Sequence, residues 1–545
     1  MNRRVTRLLT WLGNWNRFCA LMIALFLTRA VFLLSVMPPY EGWDEYQHIA
    51  YVAHWIEHGA PPVLGESPVP RALYPALVRF PQPKLAVDQI GAIGAMEYHA
   101  YWERLAAGGS IEVRATAPDI PLYQAQHPPL YYQLIAPLFR GQLDPDRIGH
   151  AIARARWLGV ACGAAALLLF GLSLPSLVAA GPARCLILLA VATQPLLLFN
   201  CARVASDPLA VLLGTLVVVM VLEFRIERWR RHGLILGLAL GLSILAKVYN
   251  LLLAPFVVLV WLDRWRRGRW RGAQTAASLL LILSVAILLT SDYFMENLRR
   301  HGLLTPMQES VENARHGVGT SALLRQALAL DWLGELARKY LRQSLFTGGW
   351  SYVKTSGAIT WVYQVFLLIG AGLAVAAAIR WRRSGQPTCF SRDGAGRASA
   401  LLGALFAMGL AWHMVSSRQA WGSITTNVWY AAVSFPWLLC LYYQGAAARN
   451  RRAVLMILGG GLIVLHGSAE TWGILGEMVP RYTGAPWGDL ARERLASMHP
   501  ASLGPRWTVP AMLVANALLW LGLFTAFARD AQAPRDDLRP RLNSQ

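Results

Sequence analysis

From Phe18 to Val36 the chain reads FCALMIALFLTRAVFLLSV, a stretch whose only charge is Arg29. In a lipid interior the backbone has no water to bond to, so such a run must close its hydrogen bonds within itself as a helix. Crossing takes about 20 apolar residues, somewhat fewer where flanking side chains snorkel to the surface. The same test passes for Trp157–Leu177, Arg184–Asn200, Pro208–Phe224, Leu234–Val248, Leu251–Leu262 and Ala273–Thr290. It passes again for Ala358–Ile379, Ala398–Met414, Trp429–Tyr443, Val454–Ala469 and Pro510–Phe527. The expectation is an all-α polytopic membrane protein with about twelve spans, the two short ones flanking Lys247 being the weakest.

Composition agrees. Only 15% of the residues are charged and the mean hydropathy is +0.38, against about 25% charged in globular domains. A net charge of +21 would in a soluble protein point to nucleic acid. Here the basic residues sit in short loops between apolar stretches, as in Arg225–His232, Asp263–Gly272 and Arg380–Gln386, with Trp interleaved. That is the cytoplasmic loop signature of membrane proteins, and it excludes a nucleic-acid partner in favour of the lipid bilayer. With the N-terminus cytoplasmic, the even-numbered connections and both tails collect nearly all of the excess charge. The divisions are then a basic N-terminal segment (1–17), a first span (18–36) and a large first outer segment (37–150). Core spans (151–290), a second outer segment (291–357), C-terminal spans (358–528) and a cytoplasmic tail (529–545) follow. A third, smaller outer segment runs from about Glu470 to Thr508. The six cysteines are scattered without paired spacing, which argues against a disulfide framework or structural zinc. The first apolar run has no small-residue cleavage site after it, so it reads as a retained span.

The outer segments hold the chemistry. In EGWDEYQHIAYVAHWIEHG, apolar Ile49, Val52, Ala53 and Ile56 recur at helical spacing up to Gly59, predicting an amphipathic helix along the membrane. Asp44 would stand at its N-cap, with Asp44, Glu45 and His48 on one face. His127 opens HPPLYY just before the second span. In NCARVASDPLA, Ser206 or Asp207 before Pro208 makes a good helix start, so Asp207 reads first as a cap, while Arg203 suits a phosphate. Lys247 and Tyr249 lie at the junction of two short spans, where a lysine by default marks a site and snorkelling is the alternative. Arg418 and Asn427 fall in a later outer loop. His54, Glu57 and His58 have spacing that could hold a divalent cation, with a solvated face as the other reading.

These carboxylates and cations share the outer side, which suits a reaction on a lipid-linked phosphate. At this point the chain resembles the GT-C membrane glycosyltransferases. GWDEYQH is similar to the Asp-Glu motif of their first outer loop, QHPPLYY to an element before their second span, and RVASDPL and LAKVYN to short loops after the third and fifth. The resemblance covers roughly the first 260 residues; beyond them it is one of hydropathy and general shape. Tyr46 and Gln47 stand where relatives of the predicted-membrane-protein type often carry Pro-Ala, which leaves subfamily and acceptor open. What the resemblance implies is a bacterial inner-membrane transferase, like the protein mannosyltransferases and aminoarabinose transferases, using a polyprenyl-phosphate-sugar donor and an extracytoplasmic lipid, glycan or protein acceptor. It implies Asp44 as general base with Glu45 beside it, and Lys247 and Arg203 near the donor phosphate, while His127, His48, Tyr249, Asp207 and Arg418 are further substrate-binding candidates. Some members use a divalent cation, the one cofactor to consider. The rivals are a secondary transporter, common at this span count, and a lipid-linked polysaccharide polymerase or ligase.

Overall fold

The computed structural model describes residues 14–270, 272–384, 394–447, 452–499 and 504–532. Most of the basic N-terminal segment, Cys389, the end of the Arg380–Gln386 loop and most of the C-terminal tail lie outside them.

Helix α1, Trp15–Leu34, begins where the Asn14 side chain accepts from the backbone of Asn16 and Arg17. Helix α2 spans Glu45–His58 and stops at Gly59, whose φ of 67° suits glycine. Helix α3 is Leu130–Phe139, and α4, Ile148–Leu177, starts nine residues before the apolar run expected at Trp157. Helices α5 (Pro182–Thr193) and α6 (Pro195–Cys201) are one apolar stretch bent by 47°, because Pro195 cannot continue the hydrogen-bond ladder. Helix α7, Asp207–Glu223, turns sharply into α8, Trp229–Ala246. After Lys247 a 3₁₀ turn, Val248–Leu252, leads into α9, Leu253–Arg266. Helix α10, Gly272–His301, is followed by the short α11, Gln308–Arg315. Helices α12 (Gly357–Ser384), α13 (Ala395–Trp421), α14 (Phe435–Ala447), α15 (Ala453–Thr483) and α16 (Thr508–Gln532) complete the bundle. The only strands among the described residues are a two-residue antiparallel pair, Thr347–Gly348 with Val353–Lys354.

The all-helical expectation holds. Among the described residues eight helices are long and apolar enough to cross a membrane, and up to ten if each of two bent pairs is one span, against about twelve expected. The shortfall lies where backbone breaks: at Pro195, between α7 and α8, and at Val428–Ser434, a 3₁₀ turn that leaves α14 only 13 residues long. Two outer boundaries also move. Helix α10 runs on to His301, past the expected end at Thr290, and α15 runs on to Thr483. Glu470 is therefore no loop residue. It is buried inside α15, where both oxygens take the guanidinium of Arg29 from α1, itself bonded to the Ala192 carbonyl. An arginine inside a span is thereby matched with a carboxylate from another span, as burial in lipid demands.

First and last helices α1 and α16 pack together, α7 lies against α4 and α8, α8 against α10, and α12 against α14. In the first outer segment α2 rests on α3. The segments after α1, α6, α8, α10 and α13 all reach one end of this bundle, and a cavity forms among them.

Candidate active site

The cavity measures about 380 Å³ and is lined by residues from five separate connections. Asp44, His48 and His127 come from the first outer segment, Arg203 and Asp207 from the turn into α7, and Lys247 and Tyr249 from the break before α9. All the candidates but Glu45 and Arg418 meet there.

Asp44 stands at the N-cap position of α2, yet its side chain makes no capping hydrogen bond. Its backbone is left-handed, φ 58° and ψ 17°, a region where Asp is tolerated better than most residues but still at a cost. The conformation turns the carboxylate away from the helix it precedes. The Tyr123 hydroxyl donates to Oδ1 at 2.7 Å, and among the described residues Oδ2 has no hydrogen-bond donor. Burial raises the Asp44 pKa, opposed by the Tyr123 hydrogen bond and by Arg203 and Lys247. The expected cap residue thus holds the helix start through its backbone alone and turns its carboxylate to the cavity.

Glu45 has the opposite fate. Its carboxylate is fully buried and accepts from Arg156 of α4 through both oxygens, at 2.9 and 2.6 Å. It also accepts from the backbone N–H groups of Val204 and Gly42. With every lone pair engaged and no place on the cavity wall, Glu45 holds the start of α2 to α4 and to the Arg203 turn. Its expected catalytic part is corrected to a structural one. Gly42 explains itself here, since a Cβ would come within 2.7 Å of the Arg203 Cβ.

Asp207 is likewise no cap. Its Oδ2 accepts from Arg203 and from Lys247, both at 2.7 Å. Arg203 is already committed elsewhere: it donates to the Trp43 carbonyl and Asn200, and lies 5.1 Å from the Trp43 ring centroid. Trp43 stacks on Trp429 at 3.8 Å, almost parallel. Lys247 differs. Of its three N–H groups the structure places one, on Asp207, and the ammonium sits 5.8 Å from the ring centroids of both Tyr249 and Tyr430. Two of its donors are unspent, while Arg203 keeps only part of its guanidinium free, its Nε–H being buried without a partner.

His48 pairs through Nδ1 with the Tyr132 hydroxyl at 2.8 Å, and its ring lies parallel to His127 with centroids 6.1 Å apart. His127 Nδ1 is buried without a hydrogen-bond partner. Burial, with Lys247 and Arg203 nearby, lowers the His127 pKa to about 3 and takes that of His48 well below its ordinary value. Both are neutral at physiological pH and able to accept a hydrogen bond.

Arg418 does not join them. It is exposed at the end of α13 and donates to the Gly422 carbonyl, closing the helix terminus instead. Asn427, from the same loop, does line the cavity. His54 and His58 stack at 4.2 Å, but Glu57 and His58 are exposed, and no group of three metal-ligating side chains converges among the described residues.

The C-terminal half supplies a wall that sequence reasoning left out. Glu309 of α11 accepts from Thr425 at 3.2 Å and approaches His413 of α13 at 3.4 Å, while Tyr430 stacks on Tyr249 at 4.6 Å. Tyr352 reaches in from the hairpin. Nothing near Glu309 in the sequence marks it; polar residues in the second outer loop were the only available signal.

No family model and no curated protein matches this chain. Among solved structures it is similar to ArnT from Cupriavidus metallidurans bound to undecaprenyl phosphate, at 14% identity and a TM-score of 0.40, over 84% of this chain and 74% of that one. The apo state of the same protein gives 15% identity and a TM-score of 0.39, over 93% and 75%.

Proposed function

We propose that this protein is an integral membrane glycosyltransferase of the GT-C type. It moves a sugar from a polyprenyl-phosphate carrier to an acceptor hydroxyl on the extracytoplasmic side of the bacterial inner membrane, with inversion at the anomeric carbon. The observation that carries this reading is a single cavity in which a half-buried carboxylate with one unbonded oxygen, Asp44, faces a lysine with unspent donors, Lys247.

Asp44 Oδ2 takes the proton of the acceptor hydroxyl, whose oxygen attacks the anomeric carbon from the face opposite the carrier. The bond from that carbon to the phosphate oxygen breaks, and its electron pair leaves on the polyprenyl phosphate. Lys247 meets the charge that develops there. A phosphate leaving group is weakly basic, so no strong general acid is required. Arg203 and Asp207 are positioning residues for Lys247, and Glu45 with Arg156 fixes the turn that presents Asp44. His127, with its unpartnered nitrogen, suits a sugar hydroxyl, and the faces of Tyr249 and Tyr430 suit a sugar ring.

Purified protein in nanodiscs, given labelled polyprenyl-phosphate sugars and a cell-envelope fraction, is expected to release polyprenyl phosphate and label an acceptor. Lys247→Gln is expected to slow release by about 10²-fold or more, as for loss of one donor to a developing anion. Solute counterflow in proteoliposomes without any transfer of label would overturn the proposal in favour of a transporter.

A further inference from the structure

A second cavity, of about 930 Å³, adjoins the first. It is built from the second outer segment and the start of α12, and Tyr352 lines both. Its wall carries Arg338, Lys339, Arg342 and Lys354 against one carboxylate, Glu335. Glu335 is taken up by Arg338. Lys339 is buried and donates to the carbonyl of Thr426, whose neighbours Thr425 and Asn427 line the first cavity. Arg342 and Lys354 are exposed and have no ion-pair partner among the described residues.

Two further residues of this wall carry a buried polar atom without a partner. Thr355 is only 7% exposed, yet its Oγ1 has no hydrogen-bond partner, and the same holds for Gln343 Oε1. Each could take a hydrogen bond from a molecule bound in the cavity. Part of the wall is of another character. Trp361, which lines the cavity, is 65% exposed, and Leu333, next to the lining residues Gly334 and Glu335, is 84% exposed. Apolar side chains presented so fully beside a span suit a membrane surface.

We infer that this cavity receives the phosphate-bearing headgroup of an amphiphilic acceptor, entering from the membrane, whose hydroxyl reaches Asp44 past Tyr352. The inference rests on the transferase reading and names its acceptor class. The cations cannot serve the departing carrier equally well, because the carrier phosphate must lie at the reacting carbon, where Lys247 already stands. Arg342 supplies a planar fork and Lys354 a point charge, the pair of donors that a phosphate monoester accepts.

The test measures binding of dioctanoyl phosphatidic acid, dioctanoylglycerol and inorganic phosphate to the full-length protein in neutral detergent. Wild type is expected to hold phosphatidic acid at least about tenfold more tightly than either control, and Arg342→Gln/Lys354→Gln to lose about tenfold or more of that affinity, since two charge-assisted contacts go. Both positions are exposed, so the variant folds; Arg418→Gln, outside both cavities, should bind like wild type. Wild-type affinity in the double variant would overturn the inference. So would inorganic phosphate binding as tightly as phosphatidic acid, which would make this a soluble-anion site. Loss of the probe in Lys247→Gln as complete as in the double variant would place the anion in the first cavity and also overturn it. Failure of the transferase reading shows separately, as turnover untouched by Asp44→Asn with probe binding intact.

Discussion

Replacing Asp44 by Asn removes proton acceptance and little else. The two side chains are isosteric, and Asn tolerates the left-handed backbone at φ 58° as well as Asp does. The amide oxygen can still accept the Tyr123 hydroxyl, which now meets Oδ1 at 2.7 Å. The α2 cap loses nothing, since the carboxylate makes no capping bond. Stability should therefore change by less than about 1 kcal/mol, within the range of substitutions that break no buried contact. The rate should not be spared. General-base catalysis contributes about 10²–10⁴-fold, which is about 2.7–5.5 kcal/mol in the barrier. The assay is single-turnover release of polyprenyl phosphate, with thermal unfolding measured on the same sample. Turnover within about threefold of wild type at unchanged stability would refute the general-base role, since the expected loss starts near 10²-fold. Asp44→Ala is the poorer experiment, because alanine in a left-handed conformation adds a backbone cost of its own.

Glu45→Ala should act on the fold, lowering stability by about 3–5 kcal/mol because it leaves Arg156 buried and unpaired; equal stability would refute the structural assignment. Arg418→Gln should leave transfer within about twofold, consistent with an exposed side chain outside the cavity, and a larger loss would return it to the site. Glu41 is buried, accepts from Tyr98 and Ser351, and has its pKa raised by burial to about 7. The folded protein thus holds a proton that the unfolded chain releases near its ordinary 4.5, so stability should fall as pH rises between these values and level off above. Melting curves across that window should slope downward in wild type and less steeply in Glu41→Gln; identical slopes would refute it. His127 gives the opposite sign. With its folded pKa lowered to about 3, its contribution is lost as pH drops below the ordinary value, and His127→Gln should flatten the acid limb of the melting profile.

The helices were legible in the sequence because apolar length alone compels them: spans over Phe18–Val36, Ala273–Thr290 and Pro510–Phe527 follow from hydropathy and the absence of water in lipid, though not the continuation to His301. Helix α2 and its end at Gly59 were equally local, set by 3.6-residue periodicity and one left-handed residue. The candidates Asp44, His127, Arg203 and Lys247 could be singled out because charge near an apolar run is costly and therefore conspicuous. Local pattern could not tell Asp44 from Glu45, which are adjacent and chemically alike. Only packing did that: Arg156, more than a hundred residues on, claims one carboxylate, and a left-handed backbone frees the other. The same holds for Glu470, which sequence placed in a loop and Arg29 draws into the bundle, and for Glu309 and Tyr430, which have no local mark at all. Hydropathy decides which segments enter the membrane. Which polar groups meet at its edge depends on how helices from both halves of the chain lie against one another, and that is decided by side chains far apart in sequence competing for the same few partners.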